Sequence, residues 1–189
     1  MWKSTTVAVV AIILLATPSV AQQETVTGIA KVIDGDTLQF GNKKVNLVYF
    51  DAPELEQRCH NLDFSNNGSP RFIEPFDGGK FARQALIELI AGQPVTCKIV
   101  STSYINNGEC STSTVGSLSN EMARRGMGYP VEKLSTIQYE DKSAAASAWK
   151  TMYKIFNNLE GSNLGIYTVK GGWRKCFKPS DSREKGDLW

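Results

Sequence analysis

Val32-Ile33-Asp34-Gly35-Asp36-Thr37 and Phe50-Asp51-Ala52-Pro53-Glu54 are the stretches on which the reading of this chain turns. Each joins an apolar strand to a turn, one at Asp34-Gly35 and the other fixed by Pro53. A strand end can hold a charged side chain in a fixed place while the strand behind it is buried. Asp36, Asp51 and Glu54 are therefore expected close together at the ends of neighbouring strands. Hard oxygen donors converging on one spot suit a hard divalent cation, with one carboxylate left to act on a water. Asp34, just before Gly35, reads as a turn residue rather than a ligand.

Working outward, residues 25–32, 37–40 and 45–50 are rich in β-branched and aromatic residues and are split by Asp34-Gly35 and Gly41-Asn42. That pattern predicts a three-strand meander. Residues 55–79 turn polar around Asn66-Asn67-Gly68-Ser69-Pro70 and read as a long loop. Over 80–91, Ala82, Ala85, Leu86, Leu89 and Ile90 recur on one helical face, and Gly92 follows as a stop. Residues 95–100 and 109–115 read as two further strands. Ser117 then caps a short helix through Arg125 that Gly126 closes. A third helix over 141–159 carries Ala145, Trp149, Met152, Tyr153 and Phe156 as a packing stripe. Five strands too short for a sandwich must curl to hide their edges. The expected fold is α+β, a five-stranded Greek-key barrel of the oligonucleotide-binding type with three packed helices.

The N-terminus reads as a secretory signal peptide over residues 1–21: Lys3, an apolar run at 7–16, then small residues at Ser19-Val20-Ala21. That run is too short to span a hydrocarbon core of roughly 30 Å. No other stretch has the length for a membrane span, so no membrane contact is expected after cleavage. The domain is then 22–160, with a polar tail at 161–189 expected to be extended, and the protein is secreted or periplasmic. Lys and Arg number 21 against 19 Asp and Glu, and the leader removes Lys3, so the rest is close to neutral. Composition alone thus gives no support to non-specific nucleic-acid binding, which favours a basic surplus.

The 4 cysteines of an exported chain point to disulfides. Cys97 and Cys110 fall on the two strands of an apparent hairpin, which favours that bridge among the possible pairings. Cys59 with Cys176 would then tie the long loop to the tail. The spacings are not those of a zinc site, and the single histidine, His60, reads as a solvated loop residue.

Taken together, Ile33-Asp34-Gly35-Asp36-Thr37, Asp51-Ala52-Pro53-Glu54 and 118–126 (Leu-Ser-Asn-Glu-Met-Ala-Arg-Arg-Gly) resemble the staphylococcal nuclease (thermonuclease) family. The resemblance runs over about residues 26–156. It implies calcium-dependent hydrolysis of phosphodiester bonds in DNA and RNA. Asp36, Asp51 and the backbone carbonyl of Ala52 match the family's metal ligands, and Glu54 matches the carboxylate that orients or deprotonates the attacking water. Both of the family's phosphate-clamping arginines are replaced, by Asn46 on the strand before Asp51 and by Asn106 in the later hairpin.

Arginine suits those positions because its planar fork pairs with phosphate oxygens and stays charged. Asparagine is neutral and shorter, and losing one such stabiliser typically costs about 10²- to 10³-fold in rate. Arg58, Arg71, Lys43 and Lys44 lie close enough in sequence to be considered as substitutes, though loop charges are usually just solvated. The expectation is a monomeric, calcium-binding nuclease relative of weakened activity. The alternatives are a non-catalytic module binding nucleic acid or protein and, less favoured, a disulfide-stabilised structural protein.

Overall fold

A computed structural model describes residues 23–60, 62–63, 71–72, 75–101, 106–130, 142–159 and 175–177. The leader at 1–21 and all of the tail except 175–177 lie outside the described residues. The β-branched segments form β1 (Thr25–Gly28), β2 (Lys31–Val32), β3 (Thr37–Phe40), β4 (Lys43–Leu47) and β5 (Phe50–Asp51). The polar region contributes β6 (Arg58–His60), β7 (Leu62–Asp63) and β8 (Arg71–Phe72), and leads into α1 (Gly78–Ile90). There follow β9 (Val95–Ser101), β10 (Asn106–Ser111), α2 (Leu118–Arg124), β11 (Tyr129–Pro130), α3 (Lys142–Leu159) and β12 (Lys175–Phe177).

The main sheet has the order β1-β9-β10-β4-β3-β2. β10 runs parallel to β4, and the other neighbours are antiparallel. Its two outer strands, β1 and β2, are halves of one segment interrupted at Ile29-Ala30. The sheet therefore curls until its first and last strands are neighbours along the chain, which protects both edges. The fold is α+β, a curled, mixed, half-barrel sheet with three helices.

Alternation sets the core. On β4, Val45 and Leu47 are buried while Lys44 and Asn46 face the other way. They join Leu38, Val95, Cys97, Ile99 and Cys110 inside the curl. Cys97 and Cys110 are register partners across β9 and β10 and are joined by a disulfide, as the hairpin reading favoured. Cys59 is also disulfide-bonded, and the residue opposite it in the strand register is Cys176.

The helices follow their sequence signals closely. α1 buries Ala82, Ala85, Leu86, Leu89 and Ile90, the face the periodicity predicts. It ends in a left-handed turn at Ala91 (φ 50°), whose N–H reaches Ile87 O at 2.9 Å. At the start of α2, Ser117 Oγ accepts the Asn120 N–H at 3.3 Å.

Two expectations need correction. The described residues of the 55–79 stretch are not a structureless loop, because Cys59, fully buried, exchanges backbone hydrogen bonds of 2.9 Å in both directions with Phe76. β6 then pairs with β12, so part of the tail is strand. On α3, Met152 is buried but Tyr153 is 46% exposed. The packed face is Ala148, Met152 and Ile155, which keep i, i+4, i+7 spacing, whereas Tyr153 lies a helical step around from it. The side chains of Ala145, Trp149 and Phe156 lie outside the described residues.

Candidate metal centre

The loop between β2 and β3 is closed by Ile33 N–H donating to Thr37 O at 2.9 Å. Within it, Asp34 Oδ1 accepts the N–H groups of Asp36 at 3.1 Å and Thr37 at 2.7 Å. Asp34 thus has the turn-building role expected of it. Gly35 lets the loop press into the gap between the residue after β5 and α1. A Cβ there would stand 2.6 Å from the Cβ atoms of both Ala52 and Ala82.

Asp36 is held from three sides. Its carbonyl accepts Leu47 N–H at 2.7 Å, its Oδ2 accepts Ala52 N–H at 3.0 Å, and its Oδ1 accepts the Thr37 hydroxyl at 3.0 Å. One residue therefore ties the β2–β3 loop to β4 and to the turn after β5. Asp34 and Asp36 are only 7% and 8% exposed.

Burial disfavours the charged form of Asp36 and holds its carboxyl well above the usual carboxylate range. The charge of Asp34 and a hydrogen bond with its carboxyl push the same way. The Ala52 N–H opposes this, and the charge of Asp51 adds to it. Buried carboxylates that repel one another are relieved by a cation placed between them.

Asp51 is half-buried on β5, and its Oδ2 accepts the hydroxyl of Tyr129. Ala52 and Pro53 are buried, and Glu54 emerges into solvent. Glu54 N–H donates to Gln57 Oε1, and Gln57 N–H returns to Glu54 O at 2.8 Å. Gly79 N–H donates to Gln57 O at 3.0 Å, so buried Gln57 fastens the Glu54 turn to the start of α1. Asp36 is thus tied to the residue after Asp51, while Glu54 is exposed and the three carboxylates do not converge on one spot as the sequence reading expected.

Among the described residues no group of three or more His, Cys, Asp or Glu side chains could hold a metal ion. A cation here would rest on two carboxylates, Asp36 and Asp51, completed by the Ala52 carbonyl and water. That all-oxygen donor set, with repelling buried charge, fits a hard cation such as calcium.

Asn46 lies opposite Thr37 in the β3–β4 register, and its Oδ1 is 3.1 Å from the same hydroxyl that serves Asp36. It therefore borders the acidic site. Asn106 is opposite Val45 and spends its amide on Lys44 O at 2.9 Å. The register partner of Asn46 on β10 is Asn107, so it is Asn107 that shares its face. Arg58 pairs with Asp77 at 3.6 Å and Pro75 O at 3.2 Å, and Lys43 pairs with Glu24. The Arg71 side chain lies outside the described residues.

Sequence reasoning missed Gln57 and Tyr129. Both act through contacts across the chain, and only the placement of Gln57 just after the Asp-Ala-Pro-Glu turn offered a signal. No protein-family model matches the chain, and no curated protein matches it.

Proposed function

We propose that the chain is an exported, calcium-binding relative of the staphylococcal nucleases with slow phosphodiesterase activity. The observation that carries this reading is the hydrogen bond from Ala52 N–H to Asp36 Oδ2. It fastens the buried Asp36 carboxyl to the residue after Asp51, which supports a site where binding a cation displaces the proton that burial favours on Asp36. The strand order supports the finer fold reading. With β1 and β2 counted as one strand, the neighbours run first, second, third, fifth, fourth and back to first, with third and fifth parallel. That is the order of a five-stranded oligonucleotide-binding-type barrel.

In this reading Asp36, Asp51 and the Ala52 carbonyl would hold calcium, which would supply positive charge beside the phosphate and favour deprotonation of the attacking water. Glu54, exposed at the rim, accepts the proton of the attacking water. Asn46, bordering the site, offers only a neutral hydrogen bond where charge grows on the phosphate oxygens. Arg58 and Lys43 pair with Asp77 and Glu24, so in this reading neither makes up for the missing arginine charge. The Cys97–Cys110 disulfide accords with a secreted or periplasmic location. DNA or RNA is the substrate, and the working form is a monomer. The loss of positive charge at Asn46 also favours a second reading, a module that binds nucleic acid or protein without cutting.

Cleavage of single-stranded DNA and RNA by the exported chain, with calcium and then with chelator, tests the proposal. Slow cleavage is expected, dependent on calcium and abolished by Glu54→Gln. Chelator-resistant cleavage, or full activity in Glu54→Gln, overturns it. Oligonucleotide binding with no cleavage supports the non-cutting module instead.

A further inference from the structure

β11 is two residues long and lies antiparallel to β5, with Tyr129 opposite Asp51 and Pro130 opposite Phe50. Residues directly opposed across such a ladder project to the same face. The half-buried Tyr129 accordingly donates its hydroxyl hydrogen to Asp51 Oδ2. The turn leaving α2 delivers it there: Gly126 N–H reaches Ala123 O at 2.8 Å and Met127 N–H reaches Met122 O at 3.0 Å. Gly128 permits the close approach, because a Cβ on it would stand 2.3 Å from Asp51 O and 2.3 Å from the Phe50 ring. Helix, turn and glycine together press one phenol against one carboxylate of the candidate site.

A phenol suits that position, because its hydroxyl hydrogen can be donated to a carboxylate oxygen. A donor on Oδ2 restrains rotation of the Asp51 carboxylate and leaves Oδ1 for a cation shared with Asp36. Such outer partners of metal-ligating groups typically contribute about 10- to 100-fold in metal affinity.

We infer that Tyr129 is a positioning residue for Asp51, fixing the orientation with which that carboxylate meets a divalent cation. This rests on the reading of Asp36 and Asp51 as a calcium site. Tyr129→Phe keeps the ring and removes only the donor.

The test is titration of the exported chain with calcium, followed by thermal shift, and with terbium, followed by luminescence. Wild type, Tyr129→Phe, Asp51→Asn and the double variant are compared. Tyr129→Phe is expected to weaken calcium binding by about 10- to 100-fold, and its effect on terbium affinity is expected to vanish in the Asp51→Asn background. A merely structural tyrosine would instead lower the metal-free melting temperature while leaving the dissociation constants unchanged. That result, or an equal loss in both backgrounds, overturns the positioning role while the metal site stands. Failure of wild type to respond to either ion overturns the metal site and this inference with it.

Discussion

The Thr37 hydroxyl stands 3.0 Å from Asp36 Oδ1 and 3.1 Å from Asn46 Oδ1, so Asn46 meets the acidic site through Thr37. A hydroxyl has one proton, so it serves one of these two oxygens at a time. Asn46→Arg would replace a neutral amide with a guanidinium at the border of the acidic site. Calcium-dependent cleavage of single-stranded DNA is expected to rise by about 10²-fold, within the range one such stabiliser supplies. Steady-state rates in matched calcium check this, and an unchanged rate would remove position 46 from the phosphate path.

The β4–β10 register distinguishes Asn106 from Asn107. Asn107, not Asn106, is the partner of Asn46, and Asn106 is committed to Lys44 O. In an Asn46→Arg background, Asn107→Arg should therefore add more activity than Asn106→Arg. The latter should also lose about 1 kcal/mol of stability with its hydrogen bond. Cleavage rates and urea unfolding of the two double variants measure both effects.

Local signals carried most of this architecture. The apolar face of α1, the Ser117 cap and the Cys97–Cys110 pairing each depend on residues within a helical turn or across one hairpin. Asp34's turn role was legible for the same reason. What escaped was non-local. Nothing near Tyr129 in sequence announces that Gly128 will bring it onto Asp51, and nothing in the polar 55–79 stretch announces that Cys59 will bond to Phe76. The β4–β10 register, in which one residue's shift exchanges the faces, is non-local in the same way.

Asp36 should make metal-free stability depend on pH. Its folded-state pKa is raised by burial first and by Asp34 next, so above an unfolded value of about 4 the folded protein keeps a proton that the unfolded chain has lost. Stability then falls as pH rises through that window and levels off above the folded value. Asp36→Asn removes the titration. Its amide oxygen can still accept the Ala52 N–H, while its NH₂ donates to Thr37 and frees that hydroxyl for Asn46. Without metal the variant should melt above wild type at neutral pH and lose that advantage at pH below about 4. Calcium should reverse the order, because only wild type gains by binding. Thermal melts across pH, with and without calcium, provide the check.

The Cys97–Cys110 bridge spans 13 residues. Closing a loop of that size in the unfolded chain is worth about 3 kcal/mol in the chain-entropy account. Cys97→Ala with Cys110→Ala should lower stability by about that amount, with a further contribution from the space left in the core. Calcium affinity should change little, since neither cysteine borders Asp36 or Asp51. Urea titrations of oxidised wild type and the double variant measure the first, and calcium titration the second.

Gly35 couples packing to the site most directly. Carbon atoms rest at about 3.5–4.0 Å, yet a Cβ at position 35 would lie 2.6 Å from both Ala52 Cβ and Ala82 Cβ. Ala82 belongs to the fully packed face of α1, and Ala52 is tied to Asp36 by its N–H, so neither yields without moving the other. Gly35→Ala is expected to cost about 1–3 kcal/mol from overpacking. The loop must back away, which stretches the Asp36–Ala52 hydrogen bond and separates the two carboxylates. Calcium affinity should therefore fall along with stability. Gly116→Ala, where an added Cβ meets nothing within 4 Å, is the matched control and should change neither. Urea unfolding and calcium titration of both variants separate the effects. A Gly35→Ala protein with lowered stability but wild-type calcium affinity would show that the Asp36–Asp51 geometry does not depend on this packing.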